Sequence, residues 1–344
     1  MKQNFTRAKA ILTAIALMGV LVAAKSDRPA YRLFTGKGHS ASYTDILKAA
    51  RNADVVFFGE SHTNPICHWL ELQLAKDLYQ EKNGHLIIGA EMFERDNQLL
   101  LNEYISSMIR KKDFEAEAKL WPNYKTDYAP IVDFAAKNGI KFVATNIPRR
   151  FAAIVNLKGF AGLDSINALE RGMMAPLPLK YDPELSCYKK IGEMMAGSPM
   201  HLSENIPKAQ AIKDATMAWF ILKNRDDGYT FYHINGSYHS ENYESIVWYL
   251  KEYNKRNATD LKILTITCVD QKEIDDVDKD NIGKADFIVC IPNDMTQTQV
   301  GESSAPPIAM PPAGMTPAPV KAAKADTVKK PAPEENSGDD DDDD

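Results

Sequence analysis

Four short segments concentrate the residue types that do chemistry. They are Gly59-Glu60-Ser61-His62, with His68 close behind; Glu91, Glu94 and Arg95; Asn146-Ile147-Pro148-Arg149-Arg150; and Asn235-Gly236-Ser237-Tyr238-His239. Histidines beside carboxylates hold a divalent metal or relay protons. Arginines grip carboxylates through paired hydrogen bonds, haem propionates among them, and tyrosine can ligate ferric haem. Several other chemistries lack their motifs. The chain has no Cys-x-x-Cys-His for covalent haem, no Gly-x-Gly-x-x-Gly, no phosphate-binding Gly-Lys-Ser/Thr loop, no Gly-x-Ser-x-Gly elbow and no His-Glu-x-x-His.

The elements that must position these residues are legible as apolar runs. Residues 54–58, 86–91, 141–145, 230–234, 261–269 and 286–291 have the length and β-branched or aromatic content of buried strands. Helical spacing runs through 65–79, 97–109, 130–137 and 236–253. Alternating strands and helices predict an α/β fold, a mostly parallel sheet flanked by helices. The rhythm breaks over about 150–225, where 163–171, 183–196 and 209–223 read as helices rich in Met. This predicts a helical insertion subdomain, packed as adaptable core or lying over an apolar ligand.

All four polar segments follow the carboxyl ends of predicted strands, the edge where open α/β sheets bind ligands. Taken singly, each residue has an ordinary structural explanation. Gly59 and Gly236 suit tight turns, His62 and His239 suit caps or packing, and Glu60 and Glu91 could pair with Arg149 and Arg95. Taken together, two Gly-x-x-His segments joined by carboxylates and arginines from two further strands point to a site. Clustered buried charge costs several kcal/mol unless it is paired or used.

Composition bounds the rest. The 344 residues are 44% hydrophobic and 26% charged, a globular profile. The net charge is −6, and the acidic end accounts for as much by itself, which leaves residues 25–300 at −3. No basic excess marks a nucleic-acid binder. Residues 1–24 begin basic, turn apolar and end in small residues, as a secretory signal does. No cysteine stands near that cleavage region to accept a lipid. Export would place the protein in the periplasm, at the outer membrane or outside the cell. Residues 301–344 carry eight of the nineteen prolines and six terminal aspartates, the composition of a disordered tail. The body, 25–300, holds Cys67, Cys187, Cys268 and Cys290, expected as free buried thiols or with Cys268 and Cys290 near each other.

The residues 55–65, reading Val-Val-Phe-Phe-Gly-Glu-Ser-His-Thr-Asn-Pro, with His68 after them, resemble the opening motif of the ChaN-type haem-binding proteins of the Tiki superfamily. The likeness continues through Gly89-Ala90-Glu91-Met92-Phe93-Glu94-Arg95, Tyr128-Ala129-Pro130 and Ala144-Thr145-Asn146-Ile147-Pro148-Arg149. It resumes in the helical stretch 210–218 and closes at Gly236-Ser237-Tyr238-His239, covering about 45–255. The resemblance implies a ChaN-like α/β core with a helical subdomain. It also implies haem binding for iron acquisition, a homodimer, and an outer-membrane haem receptor as partner. It implies tyrosine ligation of the haem iron. Tyr128 is the choice because it stands inside a matching motif, with Tyr124, Tyr181, Tyr188 and Tyr238 as alternatives. His62, His68, Arg149 and His239 would line the pocket.

The same superfamily includes metal-dependent hydrolases and proteases with two Gly-x-x-His motifs. In that alternative Glu60, His62, Glu91 and His239 carry the catalysis, with Mn, Co or Zn as cofactor in place of haem. What separates the two readings is whether both Gly-x-x-His segments converge on one point. A third reading, an interaction protein tethered by its acidic tail, leaves the strand-end cluster unexplained.

Overall fold

A computed structural model describes residues 27–196, 203–255 and 260–299. The expected signal (1–24) and acidic tail (301–344) lie outside the described residues. Among the described residues, seven strands form one sheet: β1 (Arg32–Thr35), β2 (Val55–Glu60), β3 (Leu86–Glu94), β4 (Phe142–Asn146), β5 (Thr230–Gly236), β6 (Ile263–Gln271) and β7 (Phe287–Pro292). Their order is β1-β7-β6-β2-β5-β3-β4. Only β1 runs antiparallel, against β7; every other pairing is parallel. The parallel strands β2 and β5 are buried at every position, as strands covered on both faces must be.

The helices are α1 (Tyr43–Arg51), α2 (Pro65–Glu81), α3 (Gln98–Ile105), α4 (Lys111–Glu117), α5 (Ala129–Asn138), α6 (Arg149–Lys158), α7 (Ala168–Arg171), α8 (Ser186–Ala196), α9 (Ile206–Asn224) and α10 (Ile246–Asn254). One apolar layer packs α1, α2 and α5 on one face of the sheet, through Leu74, Leu78, Ile131 and Val132 beneath Val56, Phe58 and Ile88. The other face carries α9 and α10, through Ala215, Ala218, Val247 and Leu250 over Val55, Phe57 and Phe231.

Local sequence explains several boundaries. Ser42 and Asp45 form a reciprocal capping box on α1. Asn64 caps α2 ahead of Pro65 at its first position. Gly139 ends α5 at φ 63°, the left-handed conformation that favours glycine.

The chain departs from its sequence pattern in three expected helices and in three elements that carried no expectation. The long helix expected over 236–253 begins only at Ile246, because Asn242, Tyr243 and Ser245 all adopt positive φ and break it. The helix expected over 163–171 is a 3₁₀ turn at Phe160–Leu163 followed by the single turn of α7. The span read as one helix over 97–109 closes at Ile105, and α4 follows it. The edge strand β1, with α1 and α6, carried no expectation. All four cysteines are free and buried. Cys268 meets Cys67 across the α2–β6 contact, while Cys290 gives its thiol to Gln271 at 3.5 Å.

Candidate functional site

The strand order places β5 between β2 and β3, so three carboxyl ends lie side by side. Glu60 at the end of β2 is in register with Gly236 at the end of β5, and Ala90 of β3 is in register with Ile234. The turns that follow these strands are tightly packed. A Cβ on Gly59 would come within 2.9 Å of the Ser237 backbone. One on Gly236 would stand 2.7 Å from Nε2 of His62 and 2.8 Å from its Cε1. The two Gly-x-x-His segments therefore meet face to face, and the absence of a side chain at Gly236 makes room for the His62 ring.

The first half of the array centres on Glu60, which is 1% exposed. Its Oε1 lies 2.7 Å from Nδ1 of His62 and accepts the Tyr128 hydroxyl at 2.7 Å. Its Oε2 lies 3.3 Å from Nδ1 of His68. His68 and Glu71, one turn apart on α2, approach at 3.3 Å. Nε2 of His68 faces the His62 carbonyl at 3.2 Å and Asp127 at 3.4 Å. Asn123 donates to the same carbonyl at 2.8 Å and to Asp127 at 2.6 Å. One turn of π-helix over Tyr124–Tyr128 buries Asp127 and Tyr128 at this point.

The second half centres on His239. Its Nε2 lies 3.1 Å from Glu91 and its Nδ1 2.5 Å from Asp214 of α9. Glu91 also accepts the Gly236 N–H at 2.9 Å, and Asp214 accepts the Tyr188 hydroxyl at 2.7 Å. The helical insertion thus supplies one side of the array.

Charge in this array is set by shared partners. Burial disfavours charge on His68, but Glu60 and Glu71 outweigh it and push the imidazole up to about 12. Of the two carboxyls sharing His68, Glu71 is pushed well above the usual range by burial and by the Glu60 charge. Glu60, against its own burial, is held well below by His68 and His62. The His239 pair divides the same way. Burial again disfavours the charged ring, yet Glu91 and Asp214 raise it to about 10. Glu91 falls to about 2 despite burial, while burial raises Asp214, so the imidazolium is matched chiefly by Glu91. Burial is the largest influence on His62 and disfavours its charge, yet the Glu60 hydrogen bond with the charges of Glu60 and Glu91 together raises it. The Tyr128 hydroxyl is pushed well up by burial and by Glu60, and it acts here as a proton donor.

Of the residues singled out in sequence, Glu60, His62, His68, Glu91, Tyr128 and His239 come together. Arg149 stands at the rim: its side chain is 54% exposed and lies 3.6 Å from Glu94. The simple pairings do not form. Arg149 faces Glu94 and not Glu60, and Arg95 donates to Gln98 and the Ala144 carbonyl and covers the Phe220 ring. Among the other tyrosines, Tyr188 sits on Asp214, Tyr238 donates to the Cys187 carbonyl at 3.3 Å, Tyr181 packs on Tyr188, and Tyr124 is buried among Phe93 and Phe114.

Sequence reasoning missed Glu71, Asp127, Asn123 and Trp121, and it gave no role to Lys213 and Asp214, which lie inside the 210–218 likeness. Glu71 was readable as the residue one turn after His68. Asp214 was readable as a charge inside a helix apolar on nearly every side. Trp121 lies edge-on to the His62 ring at 4.9 Å. Lys213 is close enough to Glu91, Asp214, Arg149 and Glu94 to feel their charges, and burial lowers its basicity.

A family model described as haem-binding uptake, Tiki superfamily, ChaN matches residues 46–250. The fold is shared with the haem-binding ChaN of Campylobacter jejuni, solved with cofacial haem. That likeness has a TM-score of 0.57 at 16% identity and covers 75% of this chain and 96% of that one. An erythromycin esterase in its open conformation aligns with a TM-score of 0.45 at 10% identity, covering 80% of this chain and 100% of that one. Among curated proteins, the chloroplastic RETICULATA-RELATED 5 of Arabidopsis thaliana is 27% identical over 118 residues. The match covers 33% of this chain and 16% of that protein's length.

Proposed function

Because the chain belongs to the ChaN family of haem-binding uptake proteins in the Tiki superfamily, we propose that it binds haem for iron acquisition at the carboxyl edge of the sheet. One observation carries this reading. The array has a single partly open imidazole: the His62 side chain is 31% exposed, whereas those of His68 and His239 are 5% and 8% exposed. Trp121 stands beside it as an aromatic wall.

The residues fit the edge of a haem. Glu60 engages Nδ1 of His62, so Nε2, on the Gly236 side of the ring, would be the nitrogen available to hold iron. Arg149 and Lys213 supply cations for propionates. Bound haem supplies the redox-active iron, and the protein supplies its binding and orientation. Tyr128, the ligand implied by resemblance, donates its buried hydroxyl to Glu60. It reaches iron only by leaving that bond. Export, a homodimer and receipt of haem from an outer-membrane receptor belong to the same proposal.

Haemin titration of the purified protein tests it. A saturable Soret band is expected, weakened about tenfold or more by His62→Ala and little changed by Tyr128→Phe. Absence of a saturable band would remove the haem reading.

A second reading, a metal-dependent hydrolase or protease of the Tiki type, is favoured by the meeting of the two Gly-x-x-His segments. Here His62 with Glu60 would take a proton and His239 with Glu91 would give one. Both nitrogens of His239 are engaged, which suits a proton holder more than a metal ligand. Ester or peptide turnover lost equally in His62→Ala and His239→Gln would support it. Turnover indifferent to both would not.

A further inference from the structure

The haem reading uses Oε1 of Glu60 to hold His62 and gives no part to Oε2 of Glu60 or to Glu71. Glu60, His68 and Glu71 bring one ligand atom each within 4.8 Å of one another, and all three are buried. Nδ1 of His68 lies 3.3 Å from Oε2 of Glu60 and 3.3 Å from Oε2 of Glu71. Two donors held about 2.0–2.1 Å from one ion at a tetrahedral angle stand about 3.3–3.4 Å apart. The observed spacings are those of ligands around a small cation.

Two further features point the same way. Among the described residues, Oε2 of Glu60 and Oε1 of Glu71 are buried and receive no well-directed hydrogen bond, although Nδ1 of His68 stands 3.3 Å from Oε2 of Glu60. A buried carboxylate oxygen without a donor costs stability unless a cation faces it. The surroundings also orient the three ligands as an outer shell does. His62 and Tyr128 both engage the other oxygen of Glu60 and turn Oε2 inward. The His62 carbonyl and Asp127 engage Nε2 of His68 and hold a proton there, so a bound cation would displace the proton that Nδ1 shares with Glu60 and Glu71.

We propose that Glu60, His68 and Glu71 form a buried divalent-cation site distinct from the surface on which His62 opens. One imidazole and two carboxylates suit Zn²⁺ first, then Co²⁺ or Mn²⁺. The site joins α2 to the end of β2 and fixes the carboxylate that orients His62. It is therefore structural and positioning in character. It does not rest on the haem reading, since all three ligands are buried.

The test uses the whole protein, purified without chelator, stripped of metal and titrated with Zn²⁺ or Co²⁺. One equivalent is expected to bind, with visible cobalt bands and a rise in Tm. Affinity should fall a hundredfold or more in Glu71→Gln, while haemin binding by the stripped protein persists. X-ray absorption on the wild-type cobalt form needs no variant, and it should show one imidazole with oxygen neighbours. No stoichiometric binding would mean that the two carboxyls share a proton instead, and it would overturn the proposal. So would affinity unchanged in both Glu71→Gln and His68→Gln, or a shell with two imidazoles or sulfur. Loss of haemin binding with metal binding intact would remove only the haem reading.

Discussion

At the scale of single residues, Gly236 bears directly on the His62 ring. A methyl group there would press on the His62 ring at 2.7 Å, and the ring has Trp121 on another side. Gly236→Ala should therefore displace His62 and lower haemin affinity severalfold while the fold survives, which circular dichroism beside the Soret titration would show. Unchanged affinity would mean that the His62 ring is not where haem is held. Gly59 is harsher, because its Cβ would meet the Ser237 and Ile266 backbone, which cannot swing away. Gly59→Ala should cost about 1–3 kcal/mol in denaturant unfolding.

The sequence made part of this visible. Glu60, His62, Glu91 and His239 declared themselves by following apolar runs. Asp214 and Glu71 did not, because a charge within a helical pattern ordinarily belongs to a solvated face. Only the packing shows that α9 has almost no such face near its middle, where Gln210, Asp214 and Thr216 are all buried.

At the scale of elements, α2 is the one that both halves of the account need. Its cap Asn64 is fully buried, accepts from the Ile66 N–H at 3.0 Å and donates to Asp270 on β6 at 3.1 Å. Asn64→Ala removes the cap and leaves Asp270 short of a donor, so it should destabilise the protein by about 1–2 kcal/mol. A midpoint shift in urea unfolding checks this, and no shift would show that α2 is held by its apolar face alone. The parallel strands were readable because burial on both faces writes continuous apolar runs. The four-residue edge strand β1 was not, since so short a segment carries no period. The turn from 237 to 245 was misread for a different reason: the apolar spacing there is helical, but three positive φ values decide the path.

At the scale of the whole molecule, the array couples charge to folding. His239 is raised above its ordinary value of 6.5 to about 10, so its contribution is fully present below about 6.5 and is lost as pH rises through about 10. Glu91 is lowered from 4.5 to about 2, so its contribution is present above about 4.5 and is lost as pH falls toward 2. The pair is in full force between those limits. Removing one partner of such a buried pair costs about 3–5 kcal/mol. The Tm difference between wild type and His239→Gln should be widest near pH 5–6 and shrink as pH approaches 10. A difference flat across that range would show that the pair carries no linked charge.

Haem is proposed to sit at the strand-end array, over His62. A crystal structure of the haemin-loaded protein, with iron located by its anomalous signal, tests it most directly. The porphyrin is expected against Trp121, with iron bonded to Nε2 of His62 and a propionate within reach of Arg149. Iron on any tyrosine, or a porphyrin seated away from the carboxyl edge of the sheet, would contradict it.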